Sequence, residues 1–107
     1  MGKATDGQKK MIEAALAAQK AILQTAKAGV NASEVSKVHF DTLKNLGYES
    51  CILYGPCHGT GLMEGEYPWI ESNSDYLLEE NMTFCTCIYL GDDKNELGLR
   101  IEVGFMI

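Results

Sequence analysis

The chain has 107 residues, 46% of them hydrophobic and 22% charged, which is enough for one small domain with a single core. Its formal net charge is -6, and no basic stripe offsets it, so the composition argues against a nucleic-acid partner. Apolar runs are broken by Lys, Gln, Glu or Gly well short of the roughly 20 residues that span a bilayer, so no membrane partner is expected.

In chain order, the start Met1 to Asp6 has no apolar core with a cleavage site, so no secretory signal is expected. Gly2 is a poor myristoylation match because Thr5 falls one place early. Ile12, Ala15, Leu16, Gln19, Leu23 and Ala26 recur at three- and four-residue spacing, which predicts a first helix with that stripe as its buried face. Thr5 or Asp6 can cap its start and Gly29 can end it. A second helix is predicted from about Ser33, with Val35, Val38, Phe40, Leu43 and Leu46 on its apolar side and Gly47 as its stop. His39, at helical spacing from Val35 and Leu43, reads as a half-buried helix residue rather than a catalytic base.

The second half reads as strands. Cys51 to Tyr54 is a short β-branched and aromatic run ended by Gly55-Pro56. A glycine-rich stretch from Cys57 to Leu62 follows, then Glu66-Tyr67-Pro68-Trp69. Phe84 to Leu90 and Leu97 to Ile107 are strong strand candidates, joined by a turn at Gly91 to Asn95 into a hairpin. Residues 1–107 thus read as a single α+β domain, two N-terminal helices covering a mainly antiparallel sheet.

Three segments in order carry a family resemblance. The first is the helical pair from Glu13 to Tyr48. The second is His58-Gly59-Thr60-Gly61-Leu62 with Glu66 and Pro68 downstream, against a pattern His-Gly-x-Gly-Leu, a short gap, then His-Glu-x-Pro. The third is Leu78-Glu79-Glu80-Asn81-Met82-Thr83-Phe84, then Gly98-Leu99-Arg100-Ile101-Glu102, against a Gly-Met-x-x-x-x-Glu-Pro strand and an Arg-x-Glu strand. Together they resemble the C-terminal half of the pita-bread metallohydrolases, the group of Xaa-Pro aminopeptidase, prolidase, methionine aminopeptidase and creatinase. The resemblance implies half of a pita-bread fold and, in the parent family, hydrolysis of a peptide or small amide substrate. Two divalent ions (zinc, manganese, cobalt or iron) hold the attacking hydroxide there.

Carried over, the resemblance makes His58 the His ligand and Glu102 the bridging Glu. The penultimate Glu falls on Cys87, five residues after Met82, and the substrate-contacting His falls on Gly65, with Glu66 beside it. The implied catalytic residues are His58 and Glu66, and the implied metal ligands are His58, Cys87 and Glu102. The family's two Asp ligands lie on strands before the first helix, and Asp6 alone cannot replace them. The expectation is therefore an incomplete site with no metal bound to this chain and no activity of its own.

Simpler readings stand beside these. Cys85 and Cys87 share one strand face and can be small reduced core residues, as free Cys usually is. A zinc site made of Cys57, His58, Cys85 and Cys87 is the alternative. A core-facing Glu102 would need a partner, and Arg100 on the same face is the nearest in sequence. The thiols and the absence of a secretory signal suggest a reducing, cytoplasmic setting. Apolar residues on both parities of the Phe84 to Leu90 strand, and an open sheet edge, suggest a homodimer.

Overall fold

The computed structural model describes residues 2–107. Helix α1 spans Asp6–Thr25 and helix α2 spans Ala32–Asn45. A 3-10 turn at Glu49–Cys51 leads into strands β1 (Cys57–Gly59), β2 (Glu66–Ile70), β3 (Thr83–Asp92) and β4 (Leu97–Met106). The four strands form one sheet in the order β2-β1-β3-β4, with every neighbouring pair antiparallel. Both helices lie against one face of it, so the α+β expectation holds. Among the described residues, no helix is long and apolar enough to cross a membrane.

Thr5 caps α1 in a reciprocal box: its hydroxyl accepts from the Gln8 N–H, and the Gln8 side chain accepts from the Thr5 N–H. The buried face of α1 differs from the expected stripe. Met11, Ala14, Ala15, Ala18 and Ile22 are buried, whereas Ile12, Leu16 and Leu23 are exposed. Size explains this correction. Alanines let α1 approach the sheet and α2 closely, and the larger leucines on the adjoining stripe are turned outward. The helix also ends before Gly29. Residues 29 to 31 are drawn instead into backbone pairing with 77 and 78, through Gly29 N–H to Leu78 O and Leu78 N–H to Val30 O.

Asn31, not Ser33, caps α2: its side-chain oxygen accepts from both the Ser33 N–H and the Ser33 hydroxyl. At the other end Gly47 takes φ +84°. Tyr48 N–H then reaches Leu43 O while Gly47 N–H reaches Lys44 O, the paired bonds of a left-handed helix stop. The face it buries is Ala32, Val35, Ser36, His39 and Leu43, so His39 is fully rather than half buried, and Leu46 is exposed.

The run from Cys51 to Tyr54 is not a full strand. Its first residues close the 3-10 turn, and only Ile52 makes a bridge, to Leu90. Gly55-Pro56 then redirects the chain, and the Pro56 carbonyl accepts from the Cys87 N–H. On β3, Phe84, Thr86, Ile88 and Leu90 face the helices; Gln19 of α1 donates to the Thr86 hydroxyl at 3.1 Å. Strand alternation sends Cys85, Cys87 and Tyr89 to the opposite, open face.

Candidate metal centre

The open face gathers the sequence-predicted residues through register. β1 is antiparallel to β3 with His58 opposite Cys85, and β3 is antiparallel to β4 with Cys87 opposite Glu102 and Tyr89 opposite Arg100. Three neighbouring strands thus each deliver a polar side chain to one spot. The ligand atoms of His58, Cys85 and Glu102 all lie within 4.8 Å of one another. Cys57 faces away: it pairs with Thr86, on the helix side of the sheet, so the four-residue set Cys57, His58, Cys85 and Cys87 does not assemble.

His58 is buried, and its Nδ1 lies 3.0 Å from its neighbour's carbonyl, Gly59 O. A carbonyl only accepts, so Nδ1 carries the proton and Nε2 is left with a free lone pair. Trp69 packs edge-on to the ring at 6.1 Å. Gly65 is in the same place: a Cβ built on it would stand 3.7 Å from His58 Nδ1 and 3.5 Å from the Trp69 ring. A small pocket beside the imidazole is lined by Tyr54, Gly55, Cys57, His58, Trp69 and Glu71.

Glu102 is held by the Arg100 guanidinium, which donates to its Oε1 from Nε at 3.0 Å and from Nη2, and also reaches Glu64 at 3.3 Å. This hydrogen-bonded partner holds the Glu102 carboxyl below the usual carboxylate range, so it is ionised. The Arg100 partnership expected from sequence is present, on the open face rather than in the core. Cys87 is buried beneath Tyr54, and its thiol donates to the Tyr54 hydroxyl at 3.2 Å. That thiol's hydrogen bond, with burial, pushes the Tyr54 hydroxyl up to about 12, while burial pushes the Cys87 thiol up as well. Both stay protonated near neutrality. Cys85 is half-buried and donates to its neighbour's carbonyl, Thr86 O, at 3.3 Å.

Of the expected residues, His58 and Glu102 come together. Cys87 is next to Glu102 across the strands but is engaged with Tyr54. Glu66 opens β2, and its carboxylate turns back into the preceding loop, where it accepts from the Met63 N–H at 3.1 Å and lies against Gly61. One residue, Tyr54, was not picked out by sequence as part of this site, and Cys85 was named only in the alternative zinc set. Tyr54 sits in a stretch that reads as a strand end. Cys85 carried a signal, its same-face spacing to Cys87, but its place opposite His58 depends on a register that sequence does not give.

The donors available here are one imidazole, one thiol and one carboxylate. That set suits a single borderline-soft ion such as zinc. It does not suit two hard ions sharing carboxylates, because a thiol at position 87 cannot bridge as a carboxylate does.

A two-helix layer on an antiparallel sheet, with a His and a Glu converging on the open face, is the architecture of a metallopeptidase half-domain. The chain belongs to metallopeptidase family M24, whose model matches residues 1–107. It is 35% identical to the Xaa-Pro dipeptidase of Lactobacillus helveticus over 83 residues, 78% of this chain and 23% of that protein. Over 82 residues it is 30% identical to the Xaa-Pro dipeptidase of Pyrococcus furiosus, covering 77% of this chain and 24% of that protein. Among solved structures, the X-Pro aminopeptidase from Thermotoga maritima superposes with a TM-score of 0.93 at 29% identity, covering 100% of this chain and 30% of that one. The prolidase from Pyrococcus horikoshii gives 0.92 at 28% identity, with 100% and 30% covered. The fold is therefore that of part of a pita-bread prolidase, its C-terminal portion. The chain spans less than a third of the length of these relatives.

Proposed function

We propose that this chain is the C-terminal part of a Xaa-Pro peptidase-type catalytic domain with a degenerate metal centre, and that alone it does not hydrolyse Xaa-Pro bonds. The observation that carries this reading is the β3–β4 register, which sets the Cys87 thiol opposite Glu102. The resemblance expects the penultimate Glu, a metal-binding carboxylate, at that position. Two further features support it: no side chain stands at Gly65, where the substrate-contacting His is expected, and Glu66 is committed to its own loop. His58 and Glu102 remain as the site's inherited polar pair. The relatives' substrates would be peptides with a prolyl bond, and this half of the site would meet such a peptide beside His58 and Trp69. Four free thiols suit a reducing compartment such as the cytoplasm.

The test is hydrolysis of an Xaa-Pro dipeptide with manganese, cobalt or zinc added. The expected result is no turnover above the metal-only blank. Turnover that disappears in His58→Ala would contradict the proposal.

A second reading concerns assembly. In the sheet order β4 is an edge strand of ten residues, and α1 exposes Ile12, Leu16 and Leu23. An uncovered edge and an apolar helix stripe favour self-association into a two-fold dimer. Light scattering is expected to give about twice 11.7 kDa. A clean monomer at micromolar concentration would refute it.

A further inference from the structure

The thiols on the open face do more than break the inherited site. We propose that His58, Cys85 and Glu102 bind one zinc-class ion, with the fourth coordination position open to solvent or an incoming ligand. The inference rests on the reading of a degenerate centre, because it assigns to that same face a one-metal site built on a residue that is not a counterpart of any family ligand named above.

Four observations carry it. First, the three ligand atoms already lie within 4.8 Å of one another. Around a tetrahedral zinc with bonds of about 2.0–2.3 Å, ligand atoms stand about 3.5 Å apart, so small side-chain rotations close the gap. Second, the imidazole is prepared for the role. Its Nδ1–H is taken by Gly59 O, which fixes the ring and leaves Nε2 as the only lone pair to offer. Third, Glu102 is both charged and oriented. Arg100 donates twice to Oε1, which fixes the carboxylate on the face that His58 and Cys85 share. Fourth, the two thiols differ. Cys87 is buried and tied to Tyr54, whereas Cys85 is half-exposed, opposite His58, and donates to its neighbour's carbonyl rather than to another side chain. Cys85 is therefore the thiol that can swing to an ion.

The charges balance. Binding releases the Cys85 thiol proton to solvent, and the resulting thiolate and the Glu102 carboxylate neutralise a divalent cation beside a neutral imidazole. A thiolate in the set favours zinc over manganese or magnesium. Three protein ligands with a fourth position open is the arrangement of a reactive rather than a purely structural zinc.

The test is zinc titration of the reduced 107-residue chain, with cobalt(II) as a spectroscopic substitute. The expected result is one zinc per chain and, with cobalt, a near-ultraviolet thiolate-to-metal charge-transfer band. Cys85→Ser should abolish the band and weaken zinc binding at least tenfold. His58→Ala should also weaken binding, and Cys87→Ser should leave both stoichiometry and band in place. Circular dichroism confirms that each variant is folded. Absence of zinc binding, retention of the band in Cys85→Ser, or its loss in Cys87→Ser alone would overturn the assignment while leaving the proposed function standing. Two ions per chain together with Xaa-Pro hydrolysis would overturn both.

Discussion

His39 should make this protein acid-sensitive by an amount that its burial sets. Its side chain is 1% exposed on the inner face of α2, and neither ring nitrogen has a hydrogen-bond partner. Burial lowers its pKa from 6.5 to about 4. In the unfolded chain the ring protonates near 6.5, and in the folded chain only near 4, so between those values the unfolded state binds more protons. The sign follows: the His39 contribution is fully present above pH 6.5, falls as the pH drops toward 4, and is constant below. At ~1.36 kcal/mol per tenfold change in proton affinity, the limiting loss is about 3 kcal/mol, most of it between about pH 7.5 and about pH 4.5. The assay is urea unfolding at those two pH values for the parent chain and for His39→Leu, whose side chain is similar in bulk and does not titrate. Carboxylates contribute to both chains alike and cancel in the comparison. The variant should lose about 2–3 kcal/mol less on acidification than the parent, and should be no less stable at neutral pH because it removes two buried nitrogens that have no partner among the described residues. An identical acid loss in both chains would refute the reasoning and show that His39 is solvated in the folded state.

Two substitutions probe the sheet that supports the site. Phe84→Ala removes a fully buried ring stacked on Phe105 at 5.8 Å, and should cost about 3–5 kcal/mol in urea unfolding; a loss near zero would mean that the helix–sheet core is not packed as described. Gly59→Ala places a Cβ 2.7 Å from Glu66 O and 2.8 Å from Tyr67 O, both backbone atoms, so β1 and β2 must separate. That change should cost about 1–3 kcal/mol and increase hydrogen exchange in β1 and β2, and unchanged exchange there would contradict the strand pairing.

The fold was legible from sequence where a local signal coincided with packing. Gly47 stops α2 because the left-handed conformation there suits glycine, and the sequence marked it. The apolar run from Phe84 to Leu90 and the turn-forming residues after it likewise pointed to the hairpin. The buried face of α1 was misread because periodicity shows that a stripe exists but not which neighbouring stripe wins. Small alanines, which hydrophobicity ranks below leucine, permit the closest approach, so the helix turns them inward. The α2 cap moved from Ser33 to Asn31 because two good capping residues stand two positions apart and only the path of the preceding chain decides between them.

The site was legible in identity and less so in arrangement. His58 and Glu102 were named from motif positions, and Arg100 from its spacing to Glu102. Cys85 became prominent only through register, since its place opposite His58 depends on how β1 aligns with β3. Tyr54 had no signal of its own: it reaches Cys87 because Gly55-Pro56 folds the preceding stretch back along β3.

The central claim is that a thiol at Cys87 stands where one carboxylate ligand of a two-ion centre is expected, so that the chain cannot hold two ions. Elemental analysis of the chain after saturation with manganese or cobalt and dialysis tests it most directly. The account predicts no more than one ion retained per chain. Two ions retained per chain, with one lost in Glu102→Ala, would contradict it.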